Sequence, residues 1–258
     1  SINVEKRARE LGIEPKLYCD RMAEEFLSVW NSLGISPDRF IRTTDEDHVL
    51  TVQALIKRMR DNGDIVPGVY EGLYCISCEA YIKESDLVSG MCPHHQSPPQ
   101  VFKEENLFFR LSKYGPRLLE HFREDPSFVQ PSSRYNELLE ILEKGLEDIS
   151  ISRKGEGWGI PIPWDPSQRV YVWVDALINY VSGAGYASDQ ERFVHLWPCD
   201  LHIVGKDITR FHGIIWPALL LSAGLSLPKR VFGHGFVRMA GQKLSKTLGM
   251  TLDIHNLV

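Results

Sequence analysis

The chain has 258 residues, 43% of them hydrophobic and 24% charged, with a net charge of −5. That length allows one large domain, or one domain carrying an insertion, around a core of ordinary size. No apolar run approaches the ~20 residues that a bilayer-spanning helix needs, and the opening SINVEKRARE lacks signal-peptide character. The expectation is a soluble cytoplasmic protein with no membrane partner. The acidic balance excludes a broad basic footprint for nucleic acid, although a local basic face inside an acidic chain is enough to meet phosphates.

Residues 3–11 read as a helix that Gly12 stops. Pro15 suits the first turn of a second helix, whose stripe of Met22, Phe26, Trp30 and Leu33 has helical spacing and is expected in the core. A third helix starts near Asp45, carries Val49, Val52, Ile56 and Met59, and ends at Asn62-Gly63. After Pro67-Gly68 the texture becomes short strand-like runs between turns, with helices near 116–123 and 134–144, so 65–146 is expected to be a separate small module. From Ser150 a second change sets in. VYVWV (170–174), LHIV (201–204) and RVFGHG (230–235) read as strands, with helices following Asp175 and Gly205. Strand, helix, strand, helix, strand is the pattern of a parallel sheet. Gly205-Lys206-Asp207 then falls at a strand's C-terminal end, where open α/β sheets bind ligands.

Three of the five cysteines are clustered. Cys75-x2-Cys78 is followed after thirteen residues by Cys92-x2-His95, two chelating pairs at zinc spacing. Thiolates and an imidazole fill a tetrahedral Zn²⁺ and leave no open position, so one structural zinc is expected. His94 is the rival fourth ligand, and the two-residue spacer favours His95. Cys19 and Cys199 stand alone and read as small buried hydrophobes.

Near the end stands GHGFVRMAGQKLSKTLG, with Lys243 and Lys246 among glycines and hydroxyls. A cation pair on a loop is ordinarily solvated surface. The wider pattern moves the reading. FIRTTDEDH, YEGLYCISCE, EENLFFRLS, DISISR, WGIPIP, YVWVDALINY, HIVGKDITRFHGIIWPALLLSAG, GHGF and KLSKT occur in one order. In that order the chain resembles the methionyl-tRNA synthetases, class I aminoacyl-tRNA synthetases, and its thiolate knuckle resembles the single-zinc bacterial type. KLSKT departs mildly from the family's Lys-Met-Ser-Lys-Ser, with both lysines kept. The family's first strand, its His-Ile-Gly-His motif and its anticodon-binding domain have no counterpart in these residues. The expectation is therefore a fragment of a longer enzyme that does not itself make methionyl adenylate at an enzyme-like rate.

The resemblance implies an α/β fold: a Rossmann-like parallel-sheet catalytic core interrupted by a zinc-bearing connective insertion. Residues 1–64 would be the first, helical part of the core, 65–146 the insertion, 147–228 the second part of the core and 229–258 the signature-loop region. It implies ligation of methionine to tRNA(Met) through ATP, with Mg²⁺ accompanying the nucleotide. The carboxylate of methionine attacks the α-phosphate, pyrophosphate leaves, and the methionyl group then passes to the terminal ribose of the tRNA. It assigns catalysis to Lys243, Lys246 and Arg153, the lysines closing on the departing pyrophosphate with hydrogen bonds from Ser245 and Thr247. Gly205, Asp207, His234, Gly235, Phe236, Val237, Ser245 and Lys246 would meet ATP. Methionine offers little to hydrogen-bond, so its pocket should be apolar. Trp173, Ala176, Leu177 and Tyr180 share a helical face, and His212 is placed by the family near the sulfur. Two alternatives are a zinc-stabilised binding module without chemistry, and a related class I enzyme for cysteine, leucine or isoleucine. The closed ligand set of the knuckle argues against the cysteine enzyme, which needs a vacancy on its zinc.

Overall fold

The computed structural model describes residues 2–236 except Glu79, Lys83, His94, His95 and Glu156, together with Arg238, Met239, Gln242 and Lys243. Helices α1 (Ile2–Glu10) and α2 (Pro15–Ser32) lead to α3 (Glu46–Asp61). The ends of α3 suit its dipole, with Glu46 and Asp47 in the first turn and Arg58 and Arg60 in the last. Its buried residues, His48, Thr51, Val52, Leu55, Ile56 and Met59, repeat at helical spacing and enter the main core.

A long antiparallel arm follows. Strand β1 (Ile65–Cys75) pairs with β3 (Gln100–Phe109) from Ile65↔Phe109 to Tyr74↔Gln100, and the far end of β1 also pairs with β2 (Ala80–Ile82). Next come α4 (Gly115–Glu124), β4 (Val129–Gln130) and α5 (Ser132–Lys144). Strand β5 (Ile149–Ser150) closes the arm's sheet beside β3. A small antiparallel sheet is formed by β6 (Ser152–Lys154), β7 (Pro161–Ile162) and β8 (Asp165–Val170), in the order β6-β8-β7. The chain then builds α6 (Val172–Ala184), α7 (Gln190–Leu196), β9 (His202–Gly205), α8 (Trp216–Ser222) and β10 (Val231–His234). Strands β11 (Arg238–Met239) and β12 (Gln242–Lys243) form a two-stranded ribbon.

The parallel sheet has the order β4-β10-β9, and Gly205 of β9 lies beside His234 of β10 at its C-terminal edge. Helices α3, α4, α5, α6 and α8 share one core with these strands, in which Trp216, Phe109, Phe122 and Phe128 are fully buried. No described helix is long and apolar enough to cross a membrane.

Three expectations differ from the structure. The run at 170–174 is not a strand: β8 ends at Val170 and α6 begins at Val172. The third strand of the parallel sheet is instead β4, which lies within 65–146, as do α4 and α5 of the shared core. The stripe on α2 is not core. Phe26 is 52% and Leu33 45% exposed, and α2 buries no residue. Cys19 and Cys199, expected as small buried hydrophobes, are each half-buried.

Candidate active site and metal centre

Residues of α6 and of the wide, π-type turn Phe211–Ile215 face each other across the end of β9. Trp173 stacks on Phe211 with ring centroids 4.7 Å apart. Tyr180 Oη lies 2.7 Å from His212 Nε2, and His212 Nδ1 lies 2.9 Å from the carbonyl of Ile208. A carbonyl only accepts, so Nδ1 carries the proton and Nε2 accepts the tyrosine O–H. Burial lowers the pKa of His212 and lifts that of Tyr180 to about 12, which keeps both neutral. Behind them His202 accepts from Trp216 Nε1–H at 3.1 Å, with its ring 4.1 Å from that of Tyr180. Burial lowers its pKa to about 3, helped by the neighbouring His212. The result is a wall of aromatic rings and uncharged imidazoles, suited to an apolar, polarizable group. Leu177 is buried in the core beside it, and Ala176 is half-buried on the same helix face.

Arg153, on β6, belongs to a neighbouring cavity of about 650 Å³ that Tyr74, Tyr171 and Asp175 also line. It donates to Ser150 Oγ at 2.8 Å and to the Ser152 carbonyl at 2.7 Å. Its guanidinium lies 4.0 Å from the ring centroid of Tyr171 and 5.9 Å from that of Tyr74, so aromatic faces orient it.

At the edge of the parallel sheet, Gly205, Asp207, His234 and Gly235 come together, and Lys206 Nζ sits 4.6 Å over the Phe236 ring. A Cβ on Gly205 would lie 2.6 Å from Asp207 Oδ1, so this turn admits only glycine without shifting the carboxylate. Val237, Ser245, Lys246 and Thr247 lie outside the described residues, and Lys243 is described only as part of β12.

At the arm's tip, the Sγ atoms of Cys75, Cys78 and Cys92 lie within 4.8 Å of one another, Cys78 to Cys92 being 3.6 Å. Thiolates on a tetrahedral zinc stand about 3.8 Å apart, from Zn–S bonds near 2.3 Å. All three cysteines are free thiols, and Cys78 N–H donates to Cys75 Sγ at 3.4 Å, as in a metal-binding knuckle. Burial raises both the Cys75 and the Cys78 thiol. At Cys75 the hydrogen bonds it receives outweigh burial and bring it below its ordinary value, while Cys78 remains raised. The cluster could hold a metal ion. His94 and His95 lie outside the described residues.

Phe211, His202, Trp216 and Tyr171 were not singled out from sequence. Phe211 precedes His212 directly. His202 alternates with Val204 on the inner face of a strand, where an apolar residue is the rule.

A parallel sheet with glycine and polar groups gathered at its strand ends, joined to a thiolate-tipped arm, describes an α/β core of Rossmann type. The family model "tRNA synthetases class I (M)" matches residues 2–101 and 95–258, and the chain belongs to that family. It is 49% identical over 250 residues to the methionine–tRNA ligase of Thermotoga maritima, covering 95% of this chain and 40% of that protein. It is 47% identical over 261 residues to the ligase of Thermosynechococcus vestitus, covering 99% of this chain and 49% of the relative. A structure of Mycobacterium tuberculosis methionyl-tRNA synthetase in complex with methionyl-adenylate superposes with a TM-score of 0.93 at 42% identity, over 100% of this chain and 52% of that one. The chain thus spans about half, or less, of the length of these relatives.

Proposed function

We propose that this chain carries catalytic-core residues of a methionine–tRNA ligase, which joins methionine to ATP and passes the methionyl group to tRNA(Met). The observation that carries the reading is the uncharged aromatic wall of Trp173, Phe211, Tyr180 and His212 beside the C-terminal edge of the parallel sheet. A thioether is weakly hydrogen-bonding and polarizable, and such a wall favours it over a polar side chain. The methionine site comprises Trp173, Ala176, Leu177, Tyr180 and His212.

ATP, with its Mg²⁺, lies along Gly205, Asp207, His234, Gly235, Phe236 and Val237, its ribose hydroxyls donating to Asp207. Arg153 acts on the reacting groups from the adjoining cavity. Lys243 and Lys246, with Ser245, hold the triphosphate as negative charge moves to the leaving pyrophosphate. No covalent enzyme intermediate is required, and the residues act by positioning and charge stabilisation.

The arm over 65–109 is the connective insertion, and 110–146 returns to the core. The shared hydrophobic cluster and the pairing of β4 with β10 support that division. A structural Zn²⁺ at the arm's tip takes Cys75, Cys78, Cys92 and His95, and supplies folding free energy rather than chemistry. The test is methionine-dependent exchange between ATP and pyrophosphate in the intact protein. Exchange with methionine, and none with leucine, isoleucine or cysteine, is expected. Exchange with another amino acid in its place overturns the reading.

A further inference from the structure

Helix α6 has a second functional face. Asp175, Ile178 and Ser182 are spaced i, i+3, i+7 and turn away from Trp173 and Tyr180 toward α3. From α3, the fully buried His48 inserts between them. Its Nε2 is 2.6 Å from Asp175 Oδ1 and its Nδ1 is 2.9 Å from Ser182 Oγ. Ser182 Oγ also lies 3.2 Å from the carbonyl of Ile178. Asp175 and Ser182 stand about 10.5 Å apart along the helix axis, two turns, yet one imidazole ties them both.

The same three residue types make up a nucleophilic triad, but the arrangement here is turned around. Ser182 is buried and its hydroxyl is held by the helix backbone, whereas the carboxylate is the member that lines the cavity. A serine so placed cannot attack a substrate. What the geometry does instead is fix α6 against rotation and sliding.

We propose that His48, Asp175 and Ser182 form a positioning clamp that sets the aperture of the methionine pocket. A helix that carries Trp173 and Tyr180 on one face and is pinned on the other cannot rotate without moving both rings relative to Phe211 and His212. The clamp also joins α3, from the first part of the chain, to the segment that bears the pocket. This inference rests on the proposed methionine site.

The test is a graded series in the intact protein, read by exchange kinetics with methionine and ATP varied separately. His48→Leu removes both bonds. His48→Gln keeps a donor for Asp175 but cannot reach Ser182 as well. Asp175→Asn keeps an oxygen acceptor for the imidazole N–H and so keeps the geometry. The KM for methionine should rise most in H48L, by roughly tenfold or more, less in H48Q and least in D175N. The KM for ATP should stay within about twofold, because ATP contacts lie at the ends of other elements. If H48L does not fold, the order of the other two variants decides. An unchanged methionine KM in H48Q, or equal rises in both KM values, overturns the clamp. So does a larger effect in D175N than in H48Q, which would make the carboxylate a direct ligand contact. Wild-type protein without methionine-dependent exchange overturns the proposed function and the clamp with it, whereas an active wild type with unchanged variants overturns the clamp alone.

Discussion

At the scale of single residues, the proposed methionine site and the proposed signature lysines should answer to different kinetic constants. In the proposed site, Trp173 offers a ring face to methionine before, during and after reaction. Removing it forfeits about 1.5–3 kcal/mol of apolar burial, so Trp173→Ala should weaken methionine binding tenfold or more while the rate at saturation falls less. Lys246, in the proposed mechanism, meets charge that develops only as pyrophosphate leaves. Lys246→Ala should therefore cut the adenylation rate on the order of 100–1000-fold, with methionine affinity little changed. Pre-steady-state kinetics on the two variants checks both, and a reversed pattern assigns the lysine to ground-state binding. His202 makes a prediction about pH. Folding lowers its pKa to about 3 from an ordinary 6.5, so below the ordinary value the unfolded chain holds a proton that the folded chain does not. The stability that the neutral imidazole contributes is complete above that ordinary value and is lost as pH falls toward the folded one. His202→Gln keeps an acceptor for Trp216 and removes the titration. Wild type should lose about 1.4 kcal/mol per pH unit relative to this variant between about pH 5.5 and 4.5. Urea unfolding at the two pH values measures it, and parallel curves refute it.

At the scale of elements, what could be read in advance depended on period and length. Helix α3 was legible because its buried residues repeat over sixteen positions. Strands β9 and β10 were legible as short apolar runs closed by glycine, and the cluster of Cys75, Cys78 and Cys92 by the spacing of its cysteines. The run at 170–174 misled because α6 is buried on most sides: Val174, Leu177, Ile178, Val181 and Ala184 leave no polar stripe at its start to show a 3.6-residue period. Strand β4 could not be found at all, since two residues carry no period. The α2 stripe has the right spacing, but spacing reports an apolar face and not what covers it. The arm's tip yields a prediction of its own. Tyr74, next to Cys75, is buried and turns its ring toward Arg153, so the cysteine-bearing end of the arm adjoins the cavity that Arg153 lines. Metal analysis should find one zinc per chain. Cys75→Ser, or zinc removal by a chelator, should speed amide exchange at Tyr74 and Cys92 while leaving α8 protected. Carefully purified protein without zinc, or a Cys75–Cys78 disulfide, would refute the site.

At the scale of the whole molecule, the question is what keeps a long two-stranded arm at a fixed angle to the core. The root of the arm converges on Asp64, which lies between α3 and β1 and is 1% exposed. Its carboxylate accepts from Lys113 Nζ at 2.6 Å, from Ser222 Oγ of α8 at 2.8 Å and from the Tyr114 hydroxyl, while its carbonyl accepts the Arg110 amide at 2.9 Å. Burial raises the carboxyl's pKa, and these donors more than offset it, holding the group below its ordinary range. One side chain thus ties the start of the arm, the segment after its return strand and the core helix behind the parallel sheet. Asp64→Asn preserves size but loses the charge: its one oxygen can still accept from Tyr114 and Ser222, which share Oδ2, but as a weaker neutral acceptor, and its amide group then faces Lys113, whose ion pair is lost. Lys113 is half-exposed and regains water, which limits the loss. The expected cost is about 1–3 kcal/mol, distributed differently from that of zinc removal. Removing zinc should loosen the tip and spare the root. Asp64→Asn should instead raise exchange along the paired amides of β1 and β3 from their root end, and lower the midpoint of global unfolding, because the bond to α8 belongs to the main core. Hydrogen exchange on the two proteins side by side decides. If Asp64→Asn frays only the tip, or leaves the unfolding midpoint where it was, the arm is held by its strand pairing alone and Asp64 is not its joint.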